Sequence, residues 1–226
     1  MELIAEGLAC RRAGRLVFEG VSLCVGAGEA AVLRGPNGSG KSSLLRVLGG
    51  LIPPAAGTAT LGGRPISDGE AWRERVALAG HQDAVKPALT VRENLAGWAE
   101  MFGRPGRVEE ALARFGLDAL AEDPAGWCSA GQRRRLGLAR LLVVDRPLWL
   151  LDEPTVSLDA ASAEVFAGVV KAHCAAGGLA VAATHVALGF DGPEIRLKAR
   201  RAGPPDAAAA AGGAAATDPF IGEDWA

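Results

Sequence analysis

The chain has 226 residues, 49% of them hydrophobic, and a formal net charge of −2, which is enough apolar material for a well-filled core in one or two domains. That charge excludes a chain-wide basic footprint for nucleic acid, and no run of about 18 apolar residues is present to span a bilayer. Glu2 and Glu6 interrupt the opening residues, so no secretory signal is expected. The four cysteines (Cys10, Cys24, Cys128, Cys174) are scattered without a C-x-x-C pair, which argues for reduced thiols rather than disulfides or zinc. Cys10 and Cys24 could face each other on neighbouring strands, but they are read as packed thiols.

Residues 1 to about 34 read as short strands joined by turns at Ala13-Gly14 and Gly26-Ala27-Gly28, an antiparallel patch. Its last strand, Glu29 to Arg34, runs into Gly35-Pro36-Asn37-Gly38-Ser39-Gly40-Lys41-Ser42, a complete G-x-x-x-x-G-K-[ST] phosphate loop. The glycines let successive backbone N–H groups turn inward around phosphates. Lys41 is placed to reach the β- and γ-phosphates, and the Ser42 hydroxyl is left to ligate Mg²⁺. Ser43 to Leu48 supplies the helix whose positive N-terminus receives the phosphate charge. The chain is therefore expected to bind a nucleotide.

Val76 to Gln82 is again strand-like. Residues 90 to 121 change character: Thr90-Val91-Arg92-Glu93 looks like a capped helix start, and Val108 to Phe115 has helical spacing. Another helix is expected from Arg133 to Val144. Leu148 to Leu151 and Leu179 to Thr184 are unalternating apolar runs, as in strands buried on both faces of a parallel sheet. The first ends in Asp152-Glu153, which puts two carboxylates at the sheet edge where ligands bind in open α/β folds. Asp152 is expected to hold Mg²⁺ and Glu153 to polarise an attacking water. From about Ala202 the chain is rich in Ala, Gly and Pro and reads as a flexible tail.

Cys128-Ser129-Ala130-Gly131-Gln132-Arg133-Arg134-Arg135 resembles the L-S-G-G-Q signature segment of ATP-binding-cassette (ABC) ATPases. Gln82 resembles that family's Q-loop glutamine, Ser157-Leu158-Asp159 its D-loop, and His185 its switch histidine. The resemblance covers residues 1 to about 200. It implies an α/β fold: a phosphate-loop NTPase cassette with a RecA-like core, an N-terminal antiparallel β patch and an inserted α-helical subdomain. In residue ranges that means a core of 1–82 and 141–201, a helical subdomain of 83–140 and a tail of 202–226.

The resemblance also implies the chemistry. Two cassettes pack head to tail as a homodimer, so that the phosphate loop of one (Gly35 to Ser43) faces Ser129, Ala130, Gly131 and Gln132 of the other, with Asp159 nearby. Glu153, His185 and Gln82 carry the catalytic roles, and Ser42, Gln82 and Asp152 the metal; the cofactors are ATP and Mg²⁺. The family stacks adenine on an aromatic residue near the start, where this chain has Arg12 and contains no Tyr at all, so Arg11 or Arg12 is expected to stack through the guanidinium plane. Arg133-Arg134-Arg135 fits the family's basic turn after the signature, and no nucleic acid is expected.

Gly80-His81-Gln82, Leu89 to Leu95, Ser129-Ala130-Gly131-Gln132 and Leu148-Trp149-Leu150-Leu151-Asp152-Glu153-Pro154 are narrower than the general pattern. They resemble the ATP-binding subunits of cytochrome c maturation (haem exporter) systems. That implies a peripheral ATPase at the cytoplasmic face of the bacterial inner membrane, partnered by integral-membrane subunits of the maturation complex. Val85 to Leu89 is the segment expected to meet such a partner, with Trp98 either there or in the subdomain core. His173-Cys174 is expected to pack in a helix and not to ligate haem.

Overall fold

The computed structural model describes residues 1–186, 189–190 and 192–198. The expected tail 202–226, and residues 199–201 of the expected core, lie outside the described residues. The strands are β1 (Glu2–Arg12), β2 (Arg15–Gly26), β3 (Ala30–Arg34), β4 (Ala56–Leu61), β5 (Arg64–Pro65), β6 (Val76–Ala79), β7 (Leu148–Asp152), β8 (Leu179–Ala183) and β9 (Glu194–Arg196). The α-helices are α1 (Lys41–Leu48), α2 (Glu70–Arg73), α3 (Val91–Met101), α4 (Val108–Arg114), α5 (Ala130–Val144) and α6 (Ala160–Ala175).

The strands form two sheets: an antiparallel one in the order β2-β1-β4-β5, and a parallel one in the order β6-β7-β8-β3-β9. β7 and β8 are buried at every position, as their unbroken apolar runs require. Alternate residues separate the two faces of the parallel sheet. Trp149, Leu151, Ala180 and Ala182 join the core built with α3 to α6, while Leu148, Leu150, Leu179 and Val181 join the core built with α1 and the antiparallel sheet. All five strands of the parallel sheet run the same way, so the loops after β3, β6, β7 and β8 emerge along one edge.

Several expectations need correction. The first strands are long, not short: β1 has 11 residues and β2 has 12. Register shifts between Ala5 and Leu8, Leu8 and Cys10, and Cys10 and Arg11 interrupt the alternation by which a single long strand is recognised. β3 does not belong to the antiparallel patch but sits inside the parallel sheet. Cys10 pairs with Phe18 and Cys24 with Ile4, so the two thiols do not face each other. The strand expected over 76–82 ends at Ala79, because Gly80 onward passes beneath α5, where a Cβ on Gly137 would lie 2.7 Å from the Asp83 Cβ. The helix expected from Arg133 begins at Ala130, since Ser129 and Gln132 form a capping box. The boundary drawn at 140/141 falls inside α5, one unbroken helix that packs on α3 and α4 and leads into β7.

Thr90 caps α3 through a capping box with Glu93, as its sequence indicates. Buried Asn94 then fastens the preceding loop: its Oδ1 accepts from Lys86 N at 2.8 Å, and its Nδ2 donates to the carbonyls of Lys86 and Thr90 at 3.1 and 2.9 Å. Trp98 packs within the subdomain, stacked on Phe102 and lying under the Arg140 guanidinium. Val85, half-buried, packs against the same core.

His173 lies flat on Trp149, with ring centroids 3.8 Å apart, and its Nε2 is 3.2 Å from the Pro147 carbonyl, where the Nε2–H tautomer donates. Cys174 is buried with its Sγ on Glu29 O, so the pair packs as expected. Burial holds the His173 pKa below its ordinary value, opposed in part by backbone hydrogen bonding at Pro147 and Leu179. The unfolded chain then takes up the proton first as pH falls through about 6.5, so this group withdraws stability on the acid side and none above it. Chemical denaturation should therefore show a lower midpoint at about pH 5 than at pH 7.5, and His173→Phe, which keeps a ring against Trp149, should reduce that difference. An equal acid loss in the variant would remove His173 from the account.

Candidate functional site

A cleft of about 370 Å³ opens at the edge where the parallel strands end, lined by Val17, Asn37, Gly38, Gly40, Lys41, Ser42, Ser43, His81, Asp152 and Glu153. A larger one of about 690 Å³ lies between β2 and the 193–198 segment and contains none of the phosphate-loop residues.

The loop between β3 and α1 is shaped by close approach. A Cβ on Gly35 would lie 2.6 Å from Ser39 Oγ and 2.7 Å from Leu197 O, and one on Gly40 would lie 2.8 Å from Val17 Cγ1. Both glycines also hold positive φ, at 156° and 96°. Lys41 is buried, and its Nζ donates to the carbonyls of Gly35 and Pro36 at 2.8 and 3.4 Å. The Ser39 hydroxyl is buried without a hydrogen-bond partner among the described residues. An ammonium resting on carbonyls and a buried polar atom left unpaired, inside a cradle closed to any Cβ, fit a phosphate-bearing ligand.

Across the cleft, Asp152 ends β7 with 5% exposure, and Glu153 follows at φ 45°, a region uncommon for any residue but glycine. Such backbone persists where the surroundings enforce it. Here the Glu153 N–H donates to Ala183 O at 2.8 Å, and its carbonyl accepts from Arg134 Nη2 at 2.9 Å. His185, just past β8, presents Nε2 3.3 Å from Glu153 Oε1. Behind it, buried Thr184 accepts from Val186 N through Oγ1 and gives its carbonyl to Arg34 Nη1. Glu153 thus shares the cleft with the phosphate loop, and the His185 imidazole, itself outside the lining, reaches Glu153, although the three are far apart in sequence.

Other expected residues lie elsewhere. Gln82 is exposed and does not line the cleft; the neighbouring His81 does, with Nε2 3.8 Å from Asp152 Oδ2. Arg12, at the end of β1, is also outside the lining, and Val17 of β2 stands against Gly40 instead. Ser129, Ala130, Gly131 and Gln132 form the start of α5, away from the cleft. Asp159 caps α6 by accepting from Ser162 N at 2.7 Å, a hydrogen bond that holds its carboxyl below the usual range. A Cβ on Gly131 would lie 3.0 Å from Ser157 O, so this glycine lets the turn at Ser157 sit close to the start of α5.

Arg133, Arg134 and Arg135 look like one basic turn in the sequence, but they are not equivalent. Arg133 donates to Cys128 O and Arg135 to Phe115 O, both at the helix surface. Arg134 is buried at 5% exposure. It donates to Pro154 O at 3.0 Å, Gly80 O at 2.8 Å, Glu153 O at 2.9 Å and Asp83 Oδ1 at 2.9 Å. It therefore ties the loop after β6 and the end of β7 to α5. The one sequence signal for it is position: an arginine one helical turn past the cap, on the face that carries Leu138 and Leu141.

Comparison with known proteins agrees with this arrangement. Residues 18–156 match the ABC transporter family. The cytochrome c biogenesis ATP-binding export protein CcmA of Bradyrhizobium diazoefficiens is 50% identical over 199 residues, 87% of this chain and 98% of that protein. Its counterpart in Rhodobacter capsulatus is 50% identical over 206 residues, 91% of each chain. The one from Cereibacter sphaeroides is 49% identical over 222 residues, 98% of this chain and 99% of the other. Among solved structures, an ATP-binding subunit of an ABC transporter superposes with a TM-score of 0.78 at 24% identity, covering 89% of this chain and 90% of that one. A dimeric ATP-binding cassette in a post-hydrolysis state, bound to ADP and Pi, superposes with a TM-score of 0.72 at 24% identity, over 81% and 88% of the chains. These structural likenesses concern the fold.

The burial of Arg134 generates a direct test. Arg134→Lys keeps the charge but loses the planar fork, leaving carbonyls of the β6 and β7 loops unpaired. The variant should be less stable by about 2–3 kcal/mol, read as a lower denaturant midpoint at unchanged slope. An unchanged midpoint would mean that these hydrogen bonds are dispensable.

Proposed function

The chain belongs to the ABC transporter family and, within it, to the cytochrome c biogenesis ATP-binding export proteins, and on that premise we propose how its residues serve as the ATPase subunit of such a system. It binds and hydrolyses ATP. The observation that carries the hydrolytic reading is the 3.3 Å contact of His185 with Glu153 at the rim of the phosphate loop.

The loop N–H groups cradle the phosphates, and Lys41 exchanges the Gly35 and Pro36 carbonyls for phosphate oxygens. Glu153 takes a proton from the attacking water as its oxygen bonds to the γ-phosphorus, and the bond to the ADP oxygen breaks, releasing ADP and inorganic phosphate. His185 holds the water and the γ-phosphate in line beside Glu153. Ser42 and Asp152, with Gln82 brought in from its exposed loop, would hold Mg²⁺, which supplies charge neutralisation on the phosphates. The buried Asp152 carboxylate, which lines the same cleft as Ser42, supports that donor set.

The site is completed by a second copy of the chain, whose Ser129, Ala130, Gly131 and Gln132 face the nucleotide, with Asp159 at the same interface. Two observations support this: those residues stand away from the cleft of their own chain, and the dimeric cassette cited above shares the fold. We assign the ATPase to the cytoplasmic face of the inner membrane, bound to integral-membrane subunits of the cytochrome c maturation complex and driving haem delivery or release of the haem-loaded chaperone. Among the described residues no helix is long and apolar enough to cross a membrane. The core carries the phosphate loop, and the helical segment that runs into α5 carries the signature face at Ser129 to Gln132.

Glu153→Gln should lower phosphate release by at least about a hundredfold while ATP still binds; a smaller loss would displace Glu153 as the base. In host cells carrying Lys41→Ala, haem staining should show loss of covalent haem with b-type cytochromes intact. Normal c-type cytochromes would reassign the ATPase to another small transporter.

A further inference from the structure

Trp127 is 80% exposed, the most exposed of the large hydrophobic residues among those described. Its ring makes no stacking contact or hydrogen bond with any described residue, yet its backbone is held firmly. It closes the 3₁₀ turn Ala125–Trp127, whose N–H groups donate to Leu89, Pro87 and Pro124 carbonyls, each at 2.9 Å. The next residue, Cys128, is buried, with its carbonyl accepting from Arg133 Nη1 at 2.5 Å. Among the described residues nothing covers this indole, and a rigid turn holds it out as a surface open to a partner.

Its position says what. Trp127 stands two residues, at most ~7 Å of chain, before Ser129, the cap of α5. The cleft around the phosphate loop is well equipped at its phosphate end and poorly at its base end. No Phe, Tyr or Trp lines it, the His81 ring there lies beside Asp152, the Phe18 ring is buried beneath Gly40, Arg12 is outside it, and the chain contains no Tyr.

We infer that Trp127 of one protomer provides the stacking platform for the purine of the nucleotide held by the phosphate loop of the other. The inference rests on the two-chain reading above and deepens it: the partner contributes recognition of the base as well as contacts to phosphate. An indole face suits this because stacking needs only a π-surface and no particular pattern of donors. Binding should therefore depend on the presence of a base more than on which purine it is.

The test uses the full chain with Glu153→Gln, which retains ATP without turnover. ATP should shift the protein to a dimer by size-exclusion chromatography and quench tryptophan emission, and Trp127→Phe in the same background should remove that quenching. Inorganic triphosphate, which fills the phosphate loop but has no base, should leave the emission unchanged. Trp127→Ala should raise the Kd for ATP roughly tenfold, with Trp127→Phe recovering most of the affinity, the scale expected for loss of a base–aromatic stack. Dimerisation by ATP with unchanged Trp127 emission, equal quenching by triphosphate, or an unaltered Kd in Trp127→Ala would each overturn the inference. Binding of ATP without dimerisation would instead overturn the two-chain reading, and this inference with it.

Discussion

One buried guanidinium holds the site together. Removing a cation from water costs several kcal/mol, a penalty offset only when its donors are matched and a counter-charge lies close. Arg134 meets both conditions with the carbonyls of Gly80, Glu153 and Pro154 and the Asp83 carboxylate. The consequence is geometric. The loop after β6 and the turn after β7 have no mutual strand pairing beyond Ala79 and Leu151, so their spacing is set by the same planar group. Lysine, a point charge on a flexible stem, could neutralise Asp83 but could not fix three carbonyls at once.

The parallel sheet supplies the other half of the constraint. Four loops emerge at one edge because β3, β6, β7 and β8 run the same way, and the register places Asp152 beside Ala183. Glu153 and His185 each follow their strand ends closely, and their 3.3 Å approach is a product of that register and not of any local sequence preference. A shift of one residue in β7 would also exchange the two cores, sending Trp149 and Leu151 to the face that holds α1.

What was legible in the sequence was whatever has a local cause. The phosphate loop is set by the spacing of its glycines, α3 by its Thr90 and Glu93 box, and β7 and β8 by unbroken apolar runs. Effects that depend on tertiary contact were not legible. β4, a Gly-, Ala- and Thr-rich strand, has no hydrophobic alternation and exists because β1 offers it an edge. The burial of Arg134 and the exposure of Trp127 reverse the usual preferences of both residue types, and each sits where a neighbouring loop or the absence of one decides the matter. His81, and not Gln82, lines the cleft because the turn beneath Gly137 sets which side chain faces Asp152.

Helix α5 joins these features. At its start, the Ser129 Oγ accepts from Gln132 N, which uses a lone pair and leaves the hydroxyl hydrogen able to donate outward. Aspartate would cap as well but bring a negative charge toward a phosphate, and alanine would not cap at all. Serine alone of these meets both demands. Five residues later, about 7.5 Å along a rigid helix, Arg134 grips the backbone of Glu153. On the two-chain reading proposed above, a load on Ser129 from an opposing nucleotide would be carried, within one helix and without any flexible joint, to the backbone of Glu153.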